Sequence, residues 1–344
     1  MRVRTLRMAA VGATAIALLA GCGSDGGGDG AGSVTAYCSM SEDDCQTLVD
    51  DFTAETGIDV AYVRMSVGEN LARIKAEANN PQAALWIGGS AETYVQAAEE
   101  GLLAPYAAEG IDEVDELYRE PDDLWTPTST APVAFASNQA LLDELGVEAP
   151  TSWEDLADPA FANSVVLAHP ASSGTGAAVV STLAQLYGED EAFDLMKRID
   201  ANVAQYTRSG GAPTRMVGLG EAAVSATYLM DVELGMVEGY DITASFPDEG
   251  TGFGINAAAV IADAPEDQIE GAEAFLDWVL TQNGQESMMT TFWQPVIPGV
   301  TNPEAEVDTS EITLMDYDTF WAGQHRGELI ERFDAEIRHG SEAE

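Results

Sequence analysis

Val34–Met65, VTAYCSMSEDDCQTLVDDFTAETGIDVAYVRM, carries the reading that sets the fold class. Val34–Tyr37 reads as a short strand. Ser41 followed by Glu42, Asp43 and Asp44 is a helix start, a capping hydroxyl with acids in the first turn. Cys45, Leu48, Val49 and Phe52 recur at i, i+3, i+4 and i+7, one face of a helix that Gly57 stops. Ile58–Met65 is β-branched and aromatic, the composition of a second strand. Beyond it, Glu69–Ala78 reads as a helix with Leu71 and Ile74 inward, Ala83–Ile87 as a strand ending at Gly88-Gly89-Ser90, and Glu92–Glu100 as a helix capped by Gly101. The order β-α-β-α-β predicts a parallel sheet with helices on its faces.

The pattern continues through the middle of the chain. Ser164–Ala168 reads as a strand running into His169-Pro170-Ala171-Ser172-Ser173-Gly174-Thr175-Gly176, with helices over Ala177–Tyr187 and Glu191–Ile199. Asn202–Tyr206, Ala222–Tyr228, Asp241–Phe246 and Ile255–Ile261 read as strands. Ile269–Leu280, Gly284–Thr290 and the amphipathic tail Ile312–Ile337 read as helices.

The start of the chain gives an address. Arg2, Arg4 and Arg7 precede an apolar run from Met8 to Ala20, too short to span a membrane as a mature helix. The run ends Leu19-Ala20-Gly21-Cys22, which resembles the bacterial lipobox, in which the cysteine is lipidated and becomes the first mature residue. Residues 1–21 are therefore expected to be a lipoprotein signal peptide. Residues 22–33, rich in glycine and serine, are expected to be a flexible tether holding the body outside a membrane. Cys38 and Cys45 remain. In an oxidising compartment they read as one disulfide, since none of the three histidines lies near them and six residues separate them, too many for a thioredoxin-like pair.

The 344 residues suggest two domains, and 59 acids against 14 lysines and arginines give a net charge of −45. Such a chain cannot neutralise phosphates in number, so nucleic acid is excluded as a partner. An electrostatic dock on anionic lipid is disfavoured for the same reason. There is no Gly-x-Ser-x-Gly elbow, His-Glu-x-x-His, Walker loop or early Gly-x-Gly-x-x-Gly, and His169 has no visible partner carboxylate. No enzyme chemistry, cofactor or metal is expected. The 169–176 stretch is the informative one. Hydroxyls and glycines between a strand and a helix start offer N–H donors and a positive dipole end, an anion site in a segment free of Asp and Glu.

Taken together, several pieces resemble the solute-binding proteins of ABC importers. They are Thr47-Leu-Val-Asp-Asp-Phe52 to Val60, Ala84-Leu-Trp-Ile-Gly-Gly-Ser90, Ala131-Pro-Val-Ala-Phe-Ala-Ser-Asn138, Pro150-Thr-Ser-Trp-Glu-Asp-Leu156, Ala171-Ser-Ser-Gly-Thr-Gly176, Phe246-Pro-Asp-Glu-Gly-Thr-Gly252 and Ala274-Phe-Leu-Asp-Trp278. The branch they resemble holds ferric-iron, phosphonate and hexose-phosphate binders. The resemblance implies an α/β, two-lobed type II periplasmic-binding-protein architecture with a central cleft and two hinge crossovers. Residues 34–133 plus 247–300 would form the first lobe and 134–246 plus 301–344 the second. The crossovers would fall near Ala131–Phe135 and Ser245–Pro247, and closure would be a hinge motion. Ferric binders carry two adjacent tyrosines where this chain has Ala226-Thr-Tyr228-Leu229, and hexose-phosphate binders a His-Asp pair where it has Met230-Asp231. The latter also place a glutamate in the loop matching Asp248-Glu249-Gly250.

These readings give one expectation. The chain is a monomeric, lipid-anchored receptor that binds a small anionic solute, a phosphorylated sugar or phosphonate, and presents it to an ABC permease. Ser172, Ser173 and Thr175 would hold the anionic end, with Ser39 and Ser90 facing them across the cleft, because ligands bind at the strand ends of open α/β sheets. Asp231 and Glu249 would hold the other, hydroxylated or amino end. Ferric iron or a polyamine is the alternative cargo. A secreted enzyme and a surface adhesin are the alternatives from other classes.

Overall fold

The computed structural model describes residues 33–289, 292–309 and 312–337. The expected signal peptide, the tether up to residue 32 and Cys22 lie outside the described residues. The first third of the chain is β1 (Ser33–Cys38), α1 (Glu42–Thr56), β2 (Asp59–Arg64), α2 (Val67–Glu77), β3 (Leu85–Ser90), α3 (Ala91–Glu99), β4 (Leu103–Ala104) and β5 (Thr126–Ser137). Next come α4 (Gln139–Leu145), β6 (Val165–Ala168), α5 (Gly174–Tyr187), α6 (Glu189–Asp200), β7 (Val203–Thr207), α7 (Ala212–Gly218), β8 (Val224–Tyr228) and α8 (Leu229–Val237). The chain closes with β9 (Thr243–Ser245), β10 (Phe253–Ile261), α9 (Ile269–Val279), α10 (Gln282–Met288) and α11 (Thr319–Glu336).

The opening helix forms as its sequence predicts. Ser41 accepts a hydrogen bond from the Asp44 N–H, and Gly57 closes the helix at φ 76°, where a side chain would be strained. Cys45, Leu48, Val49 and Phe52 are its buried face. Cys38 and Cys45 are joined in a disulfide that ties the end of β1 to α1. The second helix starts two residues earlier than expected because Ser66 and Glu69 form a reciprocal capping box. Five elements, β4, α4, β5, α7 and α8, are not named in the sequence reading. β5 is broken in pattern by Pro127 and Pro132. α7 and α8 are short helices hidden by their Gly-rich and strand-like flanks.

Eight strands follow one another in the order β2-β1-β3-β10-β5-β8-β6-β7. The expected parallel arrangement holds for β2, β1 and β3, and again for β8, β6 and β7, but β10 runs antiparallel to both its neighbours. β5, buried along all twelve residues, belongs to both halves. Its stretch from Thr126 to Pro132 pairs with β10, and from Val133 to Ser137 with β8 and β9. The chain leaves one half at Pro132–Val133 and returns between Ser245 and Phe253.

The strand directions place the cleft. β3 runs the same way as β5, toward the second half, while β8 and β6 run against β5, toward the first. The carboxyl ends of β1 and β3 therefore point at those of β6, β7 and β8, the position where open α/β sheets bind ligands. In the first half one core lies under α1, α9 and α10, and a second, around Trp86, Tyr94 and Phe253, under α2 and α3. In the second half α5 and α6 cover one face of the sheet, and Val217 and Val232 pack on the other. α11 touches both halves. A Cβ at Gly323 would lie 3.2 Å from Val95, whereas Leu329 and Phe333 join the core of the second half.

Candidate functional site

On the first half the site is built around Ser39, the residue after β1. Its N–H donates to the Ile87 carbonyl at 2.8 Å, which fixes it beside β3. Its hydroxyl oxygen accepts from Asn70 Nδ2 at 2.7 Å and from Trp86 Nε1 at 3.0 Å. A hydroxyl has two lone pairs and one proton. Both lone pairs are taken here, so what Ser39 has left to offer is its O–H. Ser39 is half-buried, while Asn70 and Trp86 are wholly buried, Trp86 stacked on Tyr94 with centroids 4.0 Å apart. Gly88 and Gly89, at φ 75° and 91°, carry the chain round to α3. A Cβ at Gly89 would lie 2.6 Å from Val67 and 3.2 Å from the Ser39 Cβ, so only glycine lets this turn close on Ser39. Ser90 occupies the N-cap of α3 without capping it; its hydroxyl sits 3.4 Å from that of Thr93.

On the second half Ser173 caps α5, accepting from the Gly176 N–H at 3.3 Å. Ser173 and Thr175 are buried against Gly210. A Cβ there would stand 2.2 Å from Thr175 Oγ1 and 3.3 Å from Ser173 Oγ. Gly211 turns its Cβ direction to Asp231 instead, 2.9 Å from Oδ1. Thr227 ties the two together, donating to Asp231 Oδ2 at 3.1 Å and lying 3.4 Å from the Gly210 carbonyl. Burial pushes the Asp231 carboxyl up to about 6, against the opposing hydrogen bond from Thr227. Ser173, Thr175, Gly210, Thr227 and Asp231 thus form one continuous patch. Asp231 also borders an open cavity of 230 Å³ with Thr214, Arg215 and Tyr240.

The remaining expected residues fall differently. Ser172 is exposed, its hydroxyl only grazing the His169 carbonyl at 3.5 Å. Glu249 is a correction to the sequence reading, because it is not brought to this patch. Its carboxylate accepts from Tyr187 at 3.0 Å and from Ser152, which docks it at the carboxyl end of α5. Ser173 caps the other end of that 14-residue helix, about 20 Å away at 1.5 Å per residue. Asp231 is not remote from the hydroxyls either, but lies beside them across the Gly210–Gly211 backbone. His169 is held by the Ala171 N–H on Nδ1 and by Asp334 at 3.4 Å from Nε2, with Phe333 and Tyr206 edge-on to its ring, a structural role.

Asn70, Trp86, Thr227 and Gly210 are the contributors the sequence reading passed over. Asn70 carries a signal in retrospect, a polar residue beside Leu71 and Ile74 on the inner face of α2, where a polar side chain needs a partner.

The strand-end loops of the two halves carry hydroxyl and N–H donors toward the cleft. Residues 47–313 match the family described as bacterial extracellular solute-binding protein, and the chain belongs to that family. It is a binding protein and not an enzyme. Its fold is the type II periplasmic-binding-protein fold, of the branch that serves ABC importers. The chain is similar to the periplasmic binding protein AfuA from Actinobacillus pleuropneumoniae, solved with exogenous fructose 6-phosphate bound. The two share 32% identity and a TM-score of 0.79, over 90% of this chain and 99% of that one. It is 28% identical to a putative 2-aminoethylphosphonate-binding periplasmic protein of Salmonella paratyphi A, over 74% of this chain and 75% of the relative. It is 25% identical to iron uptake protein A1 of Synechocystis, over 78% and 76%.

Proposed function

We propose that this receptor binds a small phosphorylated sugar or phosphonate in the cleft and presents it to an ABC permease. The observation that carries the reading is the Ser39 hydroxyl. With both lone pairs occupied it donates only, so it favours a ligand that accepts, such as a phosphate or phosphonate oxygen, over an ammonium. Ser90 and the uncapped N–H groups of α3 stand next to it, and Ser173 and Thr175 supply donors from the opposite loop. The similarity to a protein solved with fructose 6-phosphate and to one named for 2-aminoethylphosphonate supports the same chemistry. A polyamine would meet a donor where it needs an acceptor. Ferric iron is disfavoured because the adjacent tyrosine pair of the ferric binders is reduced here to Tyr228 followed by Leu229.

In this reading residues 34–133 with 247–300 and residues 134–246 with 301–344 act as lobes that close by bending at the two crossovers. The protein works as a monomer, anchored through lipidated Cys22. Replacing Cys22 with serine is expected to abolish partition of the protein with membranes; a C22S chain that stays membrane-bound at unchanged mature mass contradicts the anchor. A thermal-shift screen tests the cargo. Fructose 6-phosphate or 2-aminoethylphosphonate is expected to raise the melting temperature and spermidine to leave it unmoved, since a ligand at a hundred times Kd stabilises by about 2.7 kcal/mol.

A further inference from the structure

We infer that Arg326, on the C-terminal helix, is the cation that holds the charged end of the solute, a role that rests on the anionic-solute reading above. In a chain with 59 acids a cation without a carboxylate partner is unexpected. Among the described residues Arg73, Lys75, Arg119, Lys197, Arg198 and Arg332 sit in ion pairs, and Arg64 donates to the Met40 carbonyl. Arg208 is engaged as well. Arg215 and Arg326 are left without an ion pair. Arg215 is exposed on α7, beside the cavity that Asp231 borders. Arg326 is different, because it is half-buried on the inward seam of α11, four residues after Ala322 and three before Leu329, both buried. A charged side chain at a seam position, with no ion pair among the described residues, is costly unless it faces water or a ligand.

Its place on the helix falls between the two cores, since Ala322 joins the core of the first half and Leu329 that of the second. Its charge acts on the Tyr228 and Tyr317 hydroxyls, and so does that of Glu92. Glu92 stands in the first turn of α3, two residues after Ser90; Tyr228 ends β8, directly before the turn that carries Asp231. The helix itself packs on α3 through Gly323 and on the core of the second half through Leu329 and Phe333. Arg326 is thus carried by a helix that touches both halves, one turn beyond Gly323, which packs on α3. A guanidinium there answers the long-range repulsion that a charge of −45 exerts on an anion. It also matches phosphate oxygens in fork geometry, which the hydroxyls cannot do.

The test is calorimetric titration of the full chain and its Arg326→Gln variant with fructose 6-phosphate and with 2-aminoethylphosphonate, at two salt concentrations. The expected result is a loss of affinity of about 10- to 100-fold for whichever anion the parent binds, with a shallower dependence on salt. Arg326→Lys is expected to recover part of the loss, because it keeps the charge and gives up the fork. Unchanged affinity in a folded Arg326→Gln variant, with a lower melting temperature alone, overturns the inference and makes Arg326 a distant partner of Glu92. If the parent binds neither anion, the anionic-solute reading fails first. A circular-dichroism melt of each variant separates loss of binding from loss of fold.

Discussion

Trp86 Nε1 donates to Ser39 Oγ at 3.0 Å across 47 positions of sequence, and this bond gives a surface hydroxyl a fixed polarity. The indole N–H comes from a wholly buried ring that can neither rotate away nor accept. Together with Asn70 it turns Ser39 from an indifferent hydroxyl into a donor. The disulfide at the preceding residue holds the end of β1 against α1, so the donor sits on a stiff support.

Ser39→Ala is expected to do two things at once. It removes the donor, and it orphans the Trp86 and Asn70 N–H groups in a buried site. Each orphaned donor costs about 1–3 kcal/mol, so urea unfolding should show a loss of stability of about 2–6 kcal/mol. Affinity for the anion should fall by about tenfold or more in the same protein. Full stability with weakened binding would mean that water replaces the hydroxyl; unchanged binding would remove Ser39 from the site.

The opposite loop is tested by replacing both Ser173 and Thr175 with alanine. Hydrogen bonds to a charged group are worth about 1.5–3 kcal/mol each, so the double variant should bind roughly 100- to 10,000-fold more weakly if both reach the anion. Affinity equal to the parent, in a folded protein, would reduce Ser173 to the cap of α5 and Thr175 to packing against Gly210.

Asp231 makes stability depend on pH. Its carboxyl is held up near 6 by burial. The favourable contribution of the protonated form is complete below the unfolded value near 4 and is lost as pH rises through 6. Asp231→Asn, which keeps an acceptor for Thr227, should therefore be more stable than the parent at pH 8 by about 1–3 kcal/mol, with the difference gone at pH 4. Denaturant melts at pH 4, 6 and 8 check this. A variant that is less stable at pH 8 would show the charged form to be satisfied in the fold.

The fold class was legible because its signals are local. Ser41, Gly57 and the Cys45–Phe52 face specify α1 without reference to the rest of the chain, and the pairing of Cys38 with Cys45 followed from compartment and spacing. β5 was harder, because two prolines interrupt a strand whose burial comes from the two sheet halves it joins. The candidate site was legible only in part. Ser39, Ser90, Ser173 and Thr175 lie at strand ends, which order along the chain reveals. Glu249 was misplaced because its loop docks on Ser152 and Tyr187, long-range contacts that no local pattern encodes. Trp86 is meaningful only through its bond to Ser39, and that emerges from packing.

The central claim is that the cleft recognises an anion by donors. Isothermal titration of the purified protein with fructose 6-phosphate, 2-aminoethylphosphonate and spermidine, each under identical salt and pH, tests it most directly. The account predicts saturable binding of at least one of the two phosphorus-bearing anions and none of spermidine. Saturable binding of spermidine, with both anions silent, would contradict it.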